Sequence, residues 1–263
     1  MRAITQEDGR SAFGAGAANY DGARPDYPAW VFEELRTRCG LTRGTGVFEA
    51  GPGTGVATRQ LLAAGADVTA IEPDERMAKV LKARSPDAKV INATFEDAVL
   101  PHAAFDLGVA ATAFHWVRQP DGYNKVGLLL KPGAWWAPWW NVFGDPSRDD
   151  AFHDATLHLL AGGTTPSHPP TFKHPAALDR EARFAELAST GLFTDIDVRM
   201  ENWTLVLNPA QVRALYATFS QFAPLEPAER ERILDALAQI AATQFNGRVE
   251  RNMVTALYTA RRA

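Results

Sequence analysis

The sequence is poor in cysteine and lacks long hydrophobic runs. Cys39 is the only cysteine among 263 residues, so an intramolecular disulfide is excluded. No apolar run approaches the length of a membrane-spanning helix, and the first residues mix both signs of charge without the apolar core of a signal peptide. We therefore expect a cytoplasmic protein that does not associate with membranes.

A strong excess of one charge is also absent. The chain has 27 basic and 31 acidic residues, which give a formal net charge of −4, and the basic residues are scattered along it. Nucleic-acid binding usually requires a basic patch or stripe. We therefore expect no nucleic-acid partner, and a small molecule as the ligand.

The signatures of a metal site are missing as well. Four histidines lie between residues 145 and 190, but their spacings give neither an i, i+4 helical pair nor the His-Glu-x-x-His of zinc enzymes. These histidines are His153, His158, His168 and His174. We predict that the protein binds no metal.

What the sequence does contain is an alternation of strand and helix patterns. The predicted strands are 46–50, 66–72, 88–92, 105–111, 134–143, 193–207 and 252–262. The predicted helices are 28–38, 56–64, 73–84, 120–130, 209–222 and 227–244. This order predicts an α/β fold with a doubly wound, mostly parallel Rossmann-like sheet, a C-terminal antiparallel strand and a helical cap insertion.

Glycine is concentrated in one short stretch. Residues 48–55 read FEAGPGTG, with glycines at 51, 53 and 55 directly after an apolar run. Glycine costs stability in regular structure, so such a cluster indicates a positive φ or a closely approaching ligand. The dinucleotide fingerprint Gly-x-Gly-x-x-Gly would need glycine where Val56 stands, and no Gly-Lys-Ser or Gly-Lys-Thr follows. The turn is therefore not expected to hold its ligand by phosphates.

An acidic residue ends the second predicted strand. Glu72 lies 21 residues after Gly51, and both are expected at the carboxyl edge of the parallel sheet. A carboxylate there can accept both hydroxyl hydrogens of a ribose. Together the turn and the acid favour an adenosine-containing ligand, and the alternative is a tight turn beside a solvated acid.

Five segments in order resemble the motifs of a known family. They are FEAGPGTG (48–55), AIEPDERM (70–77), NATFED (92–97), FDLGVAATAFHWV (105–117) and LLLKPGAWW (128–136). The family is that of the class I S-adenosylmethionine-dependent methyltransferases. AFHW at 113–116 and NYDGARPDYP at 19–28 are similar to the small-molecule branch that includes trans-aconitate methyltransferases. The resemblance implies S-adenosylmethionine as cofactor, S-adenosylhomocysteine as product and a small-molecule methyl acceptor.

The resemblance also implies a set of cofactor contacts. Glu49 would orient the methionyl amine, Gly51 and Gly53 would let the backbone approach, and Glu72 would hold the ribose. The other expected cofactor contacts come from the arm, the loops after the second and third strands and the end of the fourth: Tyr20, Arg24, Pro73, Met77, Thr94, Phe95, Glu96, Ala111 and Phe114. Thr94 departs from the family, since many members have aspartate there.

The acceptor is expected to lie against aromatic and amide side chains. The predicted contacts are Tyr27, Trp116, Trp140 and Asn141. Methyl transfer from a sulfonium is an in-line displacement that depends on alignment in a dry pocket. His115 is the candidate general base, although a carboxylate or amine acceptor needs none. We expect a partly apolar or aromatic metabolite, methylated on oxygen, nitrogen or carbon.

The change of pattern after Asp145 divides the chain into four predicted regions. These are an N-terminal lid arm (1–30), a cofactor-binding core (31–144), a cap insertion (145–190) and the remainder of the core (191–263). Two other functions stay open. The first alternative is an NAD-dependent oxidoreductase with a degenerate dinucleotide loop, and the second is a non-catalytic S-adenosylmethionine-binding protein.

Overall fold

Seven strands pair into one sheet within residues 22–145, 147–160, 175–222 and 225–263, the part of the chain described by this computed structural model. The strands are β1 (Gly46–Ala50), β2 (Asp67–Ile71), β3 (Lys89–Ile91), β4 (Phe105–Ala111), β5 (Leu130–Phe143), β6 (Phe193–Leu207) and β7 (Val249–Arg262). Their order is β3-β2-β1-β4-β5-β7-β6. The first five in this order run parallel, whereas β7 pairs antiparallel with β5 and β6. The predicted fold class is confirmed.

Helices fill the connections between the strands. They are α1 (Ala29–Thr37), α2 (Val56–Ala63), α3 (Glu75–Arg84), α4 (Asp121–Leu129), α5 (Ala151–Leu160), α6 (Arg180–Ser189), α7 (Pro209–Tyr216) and α8 (Pro227–Thr243). α3 begins after Asp74, whose side chain accepts hydrogen bonds from two backbone N–H groups of the first turn. A capping box between Asn208 and Gln211 starts α7. No described helix is long and apolar enough to span a membrane.

Side chains alternate between the two faces of the sheet. On β1, Val47 and Phe48 belong to different apolar clusters, because successive residues of a strand point to opposite faces. Trp136 and Trp139 of β5 are likewise fully buried in different clusters. The tryptophans of β5 therefore pack on both faces of the sheet.

A third apolar cluster lies next to the end of β5, where α5, α7 and α8 pack together. Phe152, Tyr216 and Leu237 are buried in it. α5 belongs to the region predicted as a cap, while α7 and α8 follow β6. The division into arm, core, cap and remainder stays a prediction, and residues 164–174 of the segment rich in proline and histidine lie outside the described residues.

Two element boundaries differ from the predictions by four residues or more. β5 starts at Leu130 and continues through Pro138, which pairs with Ala110 of β4, whereas the pairing with β7 skips 137 and 138. Because proline has no backbone N–H to donate, the pairing of β5 is interrupted here only on the side of β7. The helix predicted over 209–222 ends at Tyr216, and a separate 3₁₀ turn covers Ser220–Phe222.

The strand order creates a crevice at one edge of the sheet. β1 lies between β2 and β4, and the chain moves outward in opposite directions from β1 and β4. Ligands of such open sheets bind outside the carboxyl ends of the strands where the order reverses. The segments after β1, β2 and β4, which begin at Gly51, Glu72 and Thr112, meet at this edge.

Candidate active site

The turn after β1 requires glycine at two positions. Gly51 has a φ of 69°, and a Cβ built on it would lie 2.7 Å from the Cβ of Ala113. Gly55 has a φ of 94°, and its Cβ would lie 2.5 Å from Cδ1 of Leu81 in α3. The positive φ disfavours a side chain at both positions, and at Gly51 the fixed Cβ of Ala113 also leaves no room for one. At Gly51 the result is direct contact between the turn and the segment after β4.

The carboxylate of Glu72 is fixed by two backbone N–H groups. Gly53 donates to Oε2 and Asp74 donates to Oε1, each at 2.9 Å. Burial raises the pKa of Glu72 to about 7, although these two hydrogen bonds act to lower it. Each carboxylate oxygen retains a lone pair for a further donor. Glu72 is therefore an oriented acceptor for two hydroxyl groups.

A cavity of about 130 Å³, named here the glycine-turn cavity, occupies the crevice. The segments after β1, β2 and β4 and the residues before α1 line it. The predicted cofactor contacts among its lining residues are Arg24, Gly51, Gly53, Glu72, Pro73, Met77, Phe95 and Ala111. The predicted acceptor contacts Tyr27, Trp116 and Asn141 also line it. The structure thus brings most of the predicted site residues together.

Glu49 lies behind the turn and not in the wall of this cavity. Its side chain is fully buried, and its Oε2 accepts a hydrogen bond of 2.6 Å from the hydroxyl of Thr58 in α2. Its Oε1 has no hydrogen-bond partner among the described residues. Burial raises the pKa of Glu49 to about 7, the Thr58 hydrogen bond opposes this, and the like charge of Glu72 adds to it. Its contact with a methionyl amine stays a prediction.

Three other predicted cofactor contacts do not line the cavity. The hydroxyl of Thr94 donates to Oδ2 of Asp97 at 2.7 Å and accepts from the N–H of the same residue, which closes a local turn. Glu96 accepts from the N–H of Arg118 at 3.0 Å. Phe114 is 3% exposed and packs in the core, where its ring centre lies 4.7 Å from that of Trp136. Tyr20 lies outside the described residues.

A second cavity of about 350 Å³, named here the aromatic cavity, adjoins the first. Large apolar side chains of several elements line it, among them Trp140, Leu157, Tyr216 and Phe219. Among the described residues, those that line both cavities are Arg24, Thr112, Trp116, Asn141 and Phe143. Ligands in the two cavities would therefore lie side by side across this shared wall.

His115 lines the aromatic cavity, and its ring is oriented by Trp140. The indole Nε1–H of Trp140 donates to Nδ1 of His115 at 3.1 Å. A neutral imidazole whose Nδ1 accepts a hydrogen bond carries its proton on Nε2. In this arrangement Nδ1 is occupied by Trp140, and the role of His115 as a general base stays a prediction.

Thr112 is a site residue that the sequence analysis missed. It follows β4 with a φ of 53°, and its hydroxyl accepts hydrogen bonds from the hydroxyl of Tyr27 at 3.2 Å and the backbone N–H of Asn141 at 3.3 Å. Asn141 is held further, since its Oδ1 accepts from the hydroxyl of Thr255 at 2.6 Å. The shared wall is therefore braced by hydrogen bonds. No sequence signal marks a left-handed threonine at a strand end.

Arg24 joins the N-terminal arm to the helical layer. Its Nη2 donates to the carbonyl oxygen of Thr218, just after α7, at 3.0 Å. Its guanidinium lies 5.1 Å from the ring centre of Phe219 and 5.8 Å from that of Phe143, within the range of cation–π attraction. Its expected contact with the cofactor stays a prediction, and the contact with Thr218 anchors the arm to the helical layer.

A buried arginine is the second residue that the sequence analysis missed. Arg251 of β7 lines the aromatic cavity and forms a 2.8 Å ion pair with Asp150, which precedes α5. It also donates to the hydroxyl of Tyr216. The three residues come from separate elements, so no local motif in the sequence could have identified them.

No group of three or more potential metal ligands occurs among the described residues. His153 and His158 lie on α5. His168 and His174 lie outside the part of the chain that the structure describes. That the protein binds no metal stays a prediction.

The chain is similar to methyltransferases in sequence. Residues 48–136 match the family model of a methyltransferase domain. An uncharacterized methyltransferase of Mycobacterium tuberculosis is 26% identical over 243 residues, which cover 91% of this chain and 89% of that protein. An uncharacterized methyltransferase of Schizosaccharomyces pombe is 23% identical over 92% of this chain and 94% of that protein. The similarity to these proteins extends well beyond the motifs around the crevice.

Solved structures of methyltransferases share the fold. A protein described as a type II methyltransferase of Anaeromyxobacter dehalogenans superposes with a TM-score of 0.61 at 22% identity, over 90% of this chain and 97% of that one. Phosphoethanolamine N-methyltransferase 2 of Haemonchus contortus, solved with S-adenosylmethionine, gives 0.56 at 14% identity, over 94% of this chain and 57% of that one. At these identities the likeness establishes the fold alone.

Proposed function

We propose that the protein transfers a methyl group from S-adenosylmethionine to a small-molecule acceptor. The match of residues 48–136 to the family model of a methyltransferase domain supports this proposal. The cofactor would bind in the glycine-turn cavity and the acceptor in the aromatic cavity. One observation carries the proposal. The carboxylate of Glu72, held by the N–H groups of Gly53 and Asp74, lines the cavity as an acceptor suited to a ribose diol.

The residues of the glycine-turn cavity fit this cofactor. Gly51 has no room for a side chain, so the backbone itself forms the wall there. Pro73, Met77 and Phe95 line the cavity beside Glu72 and supply the apolar surface that a purine needs. Arg24 lines both cavities, and its guanidinium suits the carboxylate of the methionyl end.

S-adenosylmethionine supplies a methyl group activated on a sulfonium, and the chain supplies position and exclusion of water. Thr112 fixes the wall between the cavities through its hydrogen bonds with Tyr27 and Asn141. Trp116 and Phe143 line both cavities, so their rings shield the boundary from water and attract a nearby cation.

The orientation of His115 bears on the kind of acceptor. With Nδ1 accepting from Trp140, the imidazole carries its proton on Nε2, and this arrangement favours a ring that is fixed in place over one that takes up a proton at Nδ1. Acceptors that are nucleophilic without proton removal, such as carboxylates and free amines, need no base. We therefore favour these over alcohols, with His115 as part of the wall of the aromatic cavity and a partly apolar or aromatic body in the cavity.

Calorimetric titration tests the cofactor assignment. S-adenosylhomocysteine is expected to bind the purified protein with micromolar affinity, and NADH is expected not to bind. Glu72→Gln should weaken S-adenosylhomocysteine binding by about 100-fold, because two hydrogen bonds to a charged acceptor are weakened. Circular dichroism of the variant controls for its fold. Binding of NADH alone would support the oxidoreductase alternative and overturn the proposal.

A second assay separates an enzyme from a binding protein. The protein is incubated with S-adenosylmethionine and a panel of carboxylic acids, amines and phenols, and release of S-adenosylhomocysteine is measured by mass spectrometry. Methyl transfer predicts release that depends on an acceptor. Tight cofactor binding without release for any member of the panel is the behaviour of a non-catalytic binding protein.

A further inference from the structure

The wall of the aromatic cavity contains a buried cation to which the methyl transfer assigns no role. Arg251 is 3% exposed, and its hydrogen bonds to described residues use Nε, which donates to Oδ2 of Asp150 at 2.8 Å, and Nη1, which donates to the hydroxyl of Tyr216. Its guanidinium carbon lies 5.9 Å from the ring centre of Phe152 and 5.8 Å from that of Tyr216. The guanidinium is therefore held in one orientation at the cavity.

The charged side chains that line the aromatic cavity are positive among the described residues. Arg24 and Arg251 line the aromatic cavity, whereas no aspartate or glutamate does so among the described residues. Asp150 is 8% exposed and is not a lining residue, and its Oδ1 accepts from the backbone N–H of His153 at the start of α5. The acid thus orients the guanidinium without occupying the cavity.

A purely structural role explains this arrangement poorly. Replacing a buried ion pair with apolar residues of similar volume is often neutral or stabilising, so the burial of this pair is weak evidence for a purely stabilising role. A guanidinium with a fixed orientation at a cavity wall is, by contrast, well suited to bind a carboxylate. Its apolar neighbours Leu157 and Phe219 also line the cavity and suit an apolar body.

We propose that Arg251 binds a carboxylate of the methyl acceptor and thereby selects small carboxylic acids with an apolar or aromatic body. This inference rests on the proposed function and deepens it, because it assigns the substrate class of the same site. Arg251 is then a specificity-determining residue, oriented by Asp150 and Tyr216.

The test uses full-length protein saturated with S-adenosylhomocysteine. Benzoate, phenylacetate and indole-3-acetate are titrated calorimetrically, each against its primary amide, which has nearly the same shape and no charge. At least one acid is expected to bind at least about tenfold more tightly than its amide. Arg251→Met should weaken binding of that acid by at least about 30-fold and leave amide binding unchanged. If no acid is preferred over its amide, the proposal is overturned.

Matched variants separate recognition from folding. Asp150→Asn keeps Arg251 and a residue that can cap α5, but it removes the carboxylate oxygen that accepts from Nε of Arg251, so acid binding should weaken while the preference for the acid over its amide remains. The double variant Asp150→Asn with Arg251→Met removes both charges and should lose acid preference while it folds. A preference for acid over amide that is lost in Asp150→Asn, or that survives in the double variant, contradicts the proposal.

The same titrations distinguish failure of this inference from failure of the proposed function. Saturation with S-adenosylhomocysteine is measured first for each variant, and it should be unchanged because Arg251 does not line the glycine-turn cavity. Cofactor binding without acid preference overturns the carboxylate anchor and leaves the methyltransferase assignment standing. Failure of the native protein to bind S-adenosylhomocysteine overturns both.

Discussion

The two cavities of this protein are adjacent but are built in different ways. The glycine-turn cavity lies at the ends of neighbouring parallel strands, where the glycine turn forms part of its wall, and its charged anchor Glu72 is fixed by two backbone N–H groups. The aromatic cavity is shaped by side chains from distant segments, and its buried charge, Arg251, is fixed by other side chains. The difference indicates which property each cavity controls.

A site fixed by backbone groups suits the cofactor, which is the same in every reaction. A site lined by side chains suits the acceptor, which differs from one enzyme to another. A substitution in the turn should therefore abolish cofactor binding, whereas a substitution in the aromatic cavity should change acceptor affinity or turnover without affecting the cofactor. The following predictions test this separation.

The largest effect is expected for Gly51→Ala. Its Cβ would lie 2.7 Å from the Cβ of Ala113 at a φ of 69°, so strain and overlap act together. We expect binding of S-adenosylhomocysteine to be lost by calorimetry and the free energy of unfolding in urea to fall by about 3 kcal/mol. Gly144→Ala is the matched control, since its φ is 92° but nothing lies within 4 Å. It should lose only about 1 kcal/mol and bind normally.

A companion variant tests the cause of that loss. Ala113→Gly removes the carbon that the new methyl group would meet, so combining it with Gly51→Ala should restore part of the binding. Normal binding by Gly51→Ala alone would show that the close approach of the two segments is not needed for the cofactor.

Glu49→Gln is expected to stabilise the protein without ligand at pH 8. Burial raises the pKa of Glu49 from 4.5 to about 7, so its contribution to stability is present below pH 4.5 and is lost as pH rises through 7. A neutral amide avoids this loss and still accepts from Thr58. Urea unfolding should show a gain of about 2 kcal/mol at pH 8 and little change at pH 5. An equal effect at both pH values would contradict the assigned cause.

Cofactor binding should depend on pH through Glu72. Its pKa is about 7, and the ribose hydroxyls donate to the ionised form, so affinity is high above pH 7 and falls as the carboxylate is protonated. The Kd of S-adenosylhomocysteine should rise by about tenfold between pH 8 and pH 6. Glu72→Gln should show a flat profile, and a native profile that is equally flat would argue against ribose binding by this residue.

The smallest effect is expected for Trp140→Phe in the aromatic cavity. This change keeps a ring and removes the N–H that orients His115, so kcat should fall by about fivefold while the Kd of S-adenosylhomocysteine stays within about twofold. Trp136→Phe is the control, because its buried Nε1 makes no hydrogen bond among the described residues. A large loss of cofactor affinity in Trp140→Phe would show that the two cavities are not independent.

The sequence predicts the fold and the glycine-turn cavity well for a physical reason. Apolar runs and helical periodicity report burial directly, and residues that follow parallel strands must meet at one edge, which brings Gly51 and Glu72 together. The orientation of Phe114 is different. It lies in a 3₁₀ turn, in which neighbouring side chains point in different directions. The sequence pattern does not show that Phe114 packs in the core while Trp116 lines the cavity.

The sequence predicts only part of the aromatic cavity. Trp140 and Asn141 lie on β5, so their place near the crevice follows from the sheet. Arg251, Asp150 and Tyr216 meet only through the tertiary packing of β7 against the helices, and each has an ordinary sequence context. Their separation along the chain leaves no periodic or motif signal.

The most direct test of this account is a crystal structure of the protein with S-adenosylhomocysteine. We predict that the ribose hydroxyls lie within hydrogen-bond distance of the Glu72 carboxylate in the glycine-turn cavity and that the aromatic cavity contains no part of the cofactor. A ribose bound away from Glu72, or a cofactor that fills the aromatic cavity, would contradict the division of the site into two differently built halves.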